Sequence, residues 1–200
     1  MSAPKTLLEM AGADTSPAKL SDSALVLIDC QEEYRSGFLP LTGVDAAVGQ
    51  AKSLLDRART GGVPVIHVRH IGRAGGAFDP DGPGGAIMAE LAPQDGEAVV
   101  GKGLPNSFAA TVLQEELEKT GRKSLILVGF MTHMCVSSTA RAALDLGYRT
   151  TVVDGACATR DLPRPNGTGV VAAPDLHIAA LTELSDRFSS IAGSAADVPD

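Results

Sequence analysis

The sequence predicts an α/β fold of three layers, α/β/α, with helices on both faces of a mainly parallel sheet of five to six strands. Two observations carry the prediction. Apolar runs of strand length alternate along the chain with segments whose apolar residues fall at helical spacing. Several of those runs are apolar at every position, which a strand tolerates only when both of its faces are covered. With 200 residues, 44% of them hydrophobic and 20% charged, the chain has material for one good-sized core.

The elements follow in order. Residues 1–20 are polar with scattered Ala, Ser and Pro, and read as an N-terminal arm. The run "SALVLIDC" (23–30) is a strand closed by an acid. Residues 44–60 carry Val44, Ala47, Val48, Ala51, Leu54, Leu55 and Ala58 at helical spacing, and Gly61 and Gly62 stop that helix. "VPVIHVRH" (63–70) and "EAVVGK" (97–102) are the second and third strands. Ser107 is placed to cap a helix bearing Phe108, Val112, Leu113 and Leu117, which Gly121 ends. "KSLILVGF" (123–130) is the most strand-like run, followed by a helix to about Gly147, a fifth strand at 148–156, and a last helix from Asp175 to about Phe188. The core domain is thus expected over 21–191, with 192–200 as a tail. Such an alternation describes a Rossmann-like architecture, in which ligands bind at the carboxyl ends of the strands near the reversal of winding. Between Arg69 and Glu97 lies the one compositional shift, rich in Gly, Pro and Asp; it leaves the end of the second strand and is a candidate lid.

Composition excludes several function classes. A net charge of -7 offers no basic surface for nucleic acid or an anionic membrane. No window has the apolar length of a signal peptide core or a membrane span, so a cytoplasmic protein is expected. Cys30, Cys135 and Cys157 are too few and odd in number for a disulfide framework, leaving at least one free thiol. His67 and His70 stand three apart on a strand and point to opposite faces, which makes a poor chelating pair, and no metal site or cofactor is expected. Neither a glycine-rich dinucleotide turn, a phosphate loop nor a serine elbow is present in the sequence.

Three chemically capable residues stand at or just past strand ends: Asp29, Lys102 and Cys135. The strand-end rule brings them to one edge of the sheet. Cys135 lies where a helix begins, and both the helix terminus and a nearby ammonium favour a thiolate, so a lowered thiol pKa is expected. Asp29 is suited to take the thiol proton and return it to a leaving amine, and the unpaired N–H groups at the helix start, that of Cys135 included, suit an oxyanion. Cys30 alternates to the opposite face from Asp29, and it and Cys157 read as core. Gln31, Tyr34, Phe108, Phe130 and His133 are candidate substrate contacts, and Phe38 and Phe78 stand near the same loops.

The blocks "LVLIDCQEEY" (25–34), "VVGKGLPNSF" (99–108) and "LVGFMTHMCVSSTARAALDLGY" (127–148) resemble, in order, the three signature blocks of the isochorismatase-like cysteine hydrolases. The resemblance runs from about 23 to 190. It implies that Asp29 is the general acid/base, that Lys102 steadies the Asp29 and Cys135 charges, and that Cys135 is the nucleophile. It also implies a cis peptide at Phe130–Met131, which aims the Met131 N–H beside that of Cys135 as an oxyanion hole. Two departures narrow the chemistry. The Asp and His metal cluster of family nicotinamidases has no counterpart after the second strand, and isochorismatases proper lack the cysteine. The "CATRDLPRP" loop (157–165) and His177 are most similar to the streptothricin-hydrolase-like branch. The implied function is metal-independent hydrolysis of a C–N bond in a small-molecule amide, cyclic amide or carbamoyl compound, by a homo-oligomer (dimer or tetramer). The alternatives are ether hydrolysis at the same site or a redox-responsive thiol protein on the same fold.

Overall fold

The computed structural model describes residues 3–200. Its centre is a six-stranded, wholly parallel sheet built from β1 (Ser23–Ile28), β2 (Val65–His70), β3 (Ala98–Lys102), β4 (Ser124–Phe130), β5 (Arg149–Ala158) and, after the short antiparallel pair β6 (Leu162–Pro163) and β7 (Val170–Val171), β8 (Ser189–Ala192). The spatial order is β3-β2-β1-β4-β5-β8. Winding runs outward from β1 to β3, then returns to the other side of β1 with β4. The reversal therefore lies between β1 and β4, where the ends of adjacent strands leave room for a ligand.

Helices α1 (Leu7–Met10) and α2 (Glu33–Ser36) are short; α3 (Val44–Thr60) covers one face of the sheet, and α4 (Leu113–Thr120), α5 (Ser137–Asp145) and α6 (Ala173–Arg187) the other. Strand alternation divides the core accordingly. Leu25 and Leu27 pack with Ala51, Leu54 and Leu55 of α3, whereas Ala24, Val26 and Ile28 pack with Leu113, Leu117 and Ala140. This is the three-layer parallel fold expected from the doubly apolar runs.

Several elements differ from their expected limits. Ser107 does not cap a helix: its N–H donates to Thr139 Oγ1 (3.1 Å) and its hydroxyl accepts from the same threonine (2.8 Å). Ala110, at φ 55°, breaks the helical path, so α4 begins at Leu113 and Val112 is exposed. The last helix begins at Ala173, its first turn holding Pro174 and Asp175. The sixth strand, β8, is a short "SSIA" without an apolar run; its Ser189 hydroxyl lies 2.6 Å from that of Thr150 on β5. At the termini, Leu7 N–H donates to Asp186 of α6 (2.8 Å), and Arg57 donates to the carbonyls of Ala195 (2.6 Å) and Val198 (2.7 Å).

The loop between β2 and β3 is held at several points. Met88 and Leu91 are fully buried in the α3-side core, and the Met88 N–H donates to the Cys30 carbonyl (2.9 Å). Its glycine-rich first half folds back on itself through Gly72 N–H to the Phe78 carbonyl (2.9 Å).

Gly129 on β4 pairs with Ile28 on β1. Its φ is +118°, and a Cβ there would stand 2.0 Å from the Ile28 carbonyl oxygen. Gly129→Ala is therefore expected to cost about 2–6 kcal/mol, strain and overpacking together. Urea unfolding checks it; a loss below 1 kcal/mol, on the order of an ordinary surface change, would contradict the close approach.

Candidate active site

Asp29, Lys102 and Cys135 meet at the carboxyl ends of β1, β3 and β4. Asp29 follows β1 directly. Its N–H extends the sheet ladder to the Val68 carbonyl (2.8 Å), after which its φ of 51° turns the chain sharply; aspartate tolerates that left-handed region better than most residues. Lys102 is the last residue of β3, an edge strand separated from β1 by β2. Only a long side chain spans that gap. Cys135 lies in a π-helical turn (Thr132–Val136) that leads from β4 into α5.

The Lys102 ammonium is the hub. Its Nζ stands 2.7 Å from Asp29 Oδ2, 3.3 Å from Cys135 Sγ and 3.5 Å from His70 Nδ1. An ammonium has three N–H donors, and here it has three acceptors. The lysine and aspartate side chains are both 0% exposed, and Cys135 is 5% exposed. The Asp29 carboxylate oxygens are buried, with the Lys102 ammonium and the Cys135 thiol facing them.

Burial dominates the electrostatics. It raises the Asp29 carboxyl above its ordinary value against the opposing pull of Lys102. The Cys135 thiol is pushed up to about 12, by burial first and by the Asp29 charge second, with Lys102 only partly compensating. The expected lowering of the thiol pKa is thus corrected: desolvation disfavours the thiolate more than the ammonium favours it. Burial therefore favours the proton on sulfur.

The peptide Phe130–Met131 is cis, as the resemblance implied. The candidate substrate contacts are distributed unevenly. Phe130 is fully buried and Tyr34 nearly so, their rings 5.6 Å apart edge to face, and Tyr34 meets Phe78 in the same way at 5.1 Å. Burial first, and the charge of Asp29 second, raise the Tyr34 phenol above its ordinary value. Gln31 is engaged by backbone: its amide donates to the carbonyls of His70 and Gly85 (3.0 Å each) and accepts from the His70 N–H (2.8 Å). Those bonds fasten the β2–β3 loop to the rim. His133 Nδ1 lies 2.6 Å from Thr159 Oγ1, and Phe108 stacks on Tyr148 with centroids 6.0 Å apart. Phe38 is 73% exposed, away from the aromatic cluster.

His70 joins the site although sequence reasoning weighed it only as a metal ligand. The signal was present: it ends β2, between two strands that each end in a site residue, and it pairs in register with Lys102. Half-buried, it packs edge-on against Phe78 (5.0 Å) and is held toward its neutral form by burial and by Lys102. Among the described residues no group of three or more His, Cys, Asp or Glu is arranged to hold a metal ion.

Comparison with known proteins matches this chain and its fold to one family. The isochorismatase domain model matches residues 23–196. The solved structure of an isochorismatase from Pseudomonas putida KT2440 superposes with a TM-score of 0.93 at 45% identity, covering 98% of this chain and 100% of that one. The secreted isochorismatase effector Isc1 of Verticillium dahliae is 42% identical over 92% of this chain and 95% of its own. A streptothricin hydrolase of Streptomyces noursei is 34% identical over 82% of this chain and 56% of its own. With the family model and the fold in agreement, the chain belongs to the isochorismatase family, within the isochorismatase-like cysteine hydrolase superfamily.

Proposed function

We propose that the protein is a cysteine hydrolase that cleaves a non-peptide C–N bond of a small-molecule amide or carbamoyl compound through a thioester. The observation that carries this reading is the buried ammonium within reach of both a carboxylate and a thiol. A leaving amine needs a proton, and a thiol held neutral beside an ionised carboxylate has one to pass on.

Cys135 Sγ attacks the carbonyl carbon while its proton moves to Asp29. The N–H groups of Met131 and Cys135 hold the developing oxyanion. Collapse breaks the C–N bond, and Asp29 gives its proton to the departing nitrogen. Asp29 then takes a proton from water, the hydroxide attacks the thioester carbonyl, and sulfur leaves as the acid forms and recovers its proton. Lys102 favours the ionised carboxylate between these transfers and offsets the negative charge that migrates from oxygen to sulfur.

The buried setting of Cys135 disfavours oxidant sensing, because sensor thiols are accessible and of low pKa. Three free cysteines, all buried, fit a reducing compartment such as the cytoplasm. Exposed Val99 on edge strand β3 and exposed Leu104 beyond it fit association into a homo-oligomer.

Cys135→Ser is expected to lower turnover of a hydrolysed amide by at least about 10³-fold and to remove the acyl adduct seen by mass spectrometry in the wild type. Undiminished turnover sinks the mechanism. The proton placement predicts that alkylation of Cys135 by iodoacetamide keeps accelerating as pH rises past the ordinary thiol value of about 8.5. Because the Asp29 charge raises the thiol, Asp29→Asn is expected to shift that profile to lower pH while turnover falls. A profile that plateaus near neutrality, or that Asp29→Asn leaves in place, contradicts it.

A further inference from the structure

The turn that carries Cys135 is tied to the rest of the molecule at its first residue. Thr132 is fully buried, and its hydroxyl donates to the Ala158 carbonyl at the end of β5 (3.0 Å). The same oxygen lies 2.8 Å from His177 Nδ1, and His177 Nε2 lies 2.7 Å from Asp154 Oδ1. A neutral imidazole carries a single ring proton, and its two partners here are a hydroxyl, which can donate or accept, and a carboxylate, which accepts. The Thr132 hydroxyl pairs with Nδ1 of His177, and Asp154 at Nε2 holds the imidazole in the orientation that points Nδ1 at the turn. Asp154 is on β5 and His177 on α6, so one chain of bonds joins strand, helix and turn. Nothing in the reaction derived above uses either residue.

We propose that His177, oriented by Asp154, is a positioning residue for the Cys135 turn, acting through Thr132. The proposal rests on the reading of Cys135 as nucleophile. A π-helical turn satisfies fewer of its own N–H and C=O groups in regular fashion than an α-helix does, so its shape depends on outside partners. Thr132 supplies that anchor three residues before the sulfur. Releasing it lets Sγ move relative to the Lys102 ammonium at 3.3 Å.

The two ring nitrogens allow a discriminating test. In His177→Asn the side-chain amide reaches only as far as Nδ1 and retains a hydrogen-bonding group toward Thr132. In His177→Gln the amide reaches as far as Nε2, retaining the contact with Asp154 and losing that with Thr132. If His177 positions the turn, His177→Gln and His177→Ala lower kcat by about 10- to 100-fold with KM nearly unchanged, and His177→Asn recovers most of the loss. The same order is expected in the rate of Cys135 alkylation, which needs no turnover and so stands even if Cys135→Ser shows that the thiol is not the nucleophile. Equal losses in Asn and Gln variants, tracking only a fall in melting temperature, would reduce His177 to a structural residue and overturn the proposal, as would unchanged alkylation in all three.

Discussion

A lysine and an aspartate, both without solvent contact, stand 2.7 Å apart at the reversal of a parallel sheet. Taking two such charges out of water costs several kcal/mol each on the order of magnitude known for buried ions, and only their mutual attraction and good geometry offset it. Each makes the other tolerable, and both constrain everything nearby. The carboxylate cannot be neutralised without stranding the ammonium. The ammonium then has donors left for sulfur and for His70. The thiol, buried beside a fixed negative charge, keeps its proton until a reaction offers that charge a use. The proposed chemistry is a consequence of this ordering: the site holds its proton on the nucleophile and moves it only when a carbonyl carbon arrives.

The sheet supplies the rigidity this requires. The carboxyl ends of the parallel strands bring the site's polar side chains together, and the reversal between β1 and β4 sets Asp29 and the Cys135 turn on adjacent strands. Lys102 arrives from the edge strand by the length of its stem, passing the end of β2, where His70 meets it. Gln31 ties the β2–β3 loop to the same rim, so the loop that borders the site is fastened to the backbone carrying Asp29. The nucleophile turn is similarly fastened at Thr132.

Much of this was legible in the sequence, for physical reasons. Runs such as "LVLI" and "LILV" are apolar at every position and admit few alternatives to buried strands. Acid, base and thiol at strand ends point to one rim because a parallel sheet puts all its carboxyl ends together. What was not legible depended on tertiary partners. The helix expected from Ser107 starts six residues later because Thr139, distant in sequence, claims the serine and Ala110 turns the chain. β8 has no hydrophobic run, and its pairing comes from β5. The direction of the thiol shift was misjudged because a helix start and a lysine are visible in sequence whereas desolvation is not. His70 and His177 draw their meaning from a ring nitrogen's neighbour, which spacing does not reveal.

The most direct test of the buried pair is a double-mutant cycle of Asp29→Asn and Lys102→Met, read by urea unfolding. Each single change leaves one buried group without its partner and is expected to cost about 3–5 kcal/mol, with the double variant losing far less than the sum. Strict additivity of the two losses would mean that the charges do not depend on one another, and the account built on them would fail.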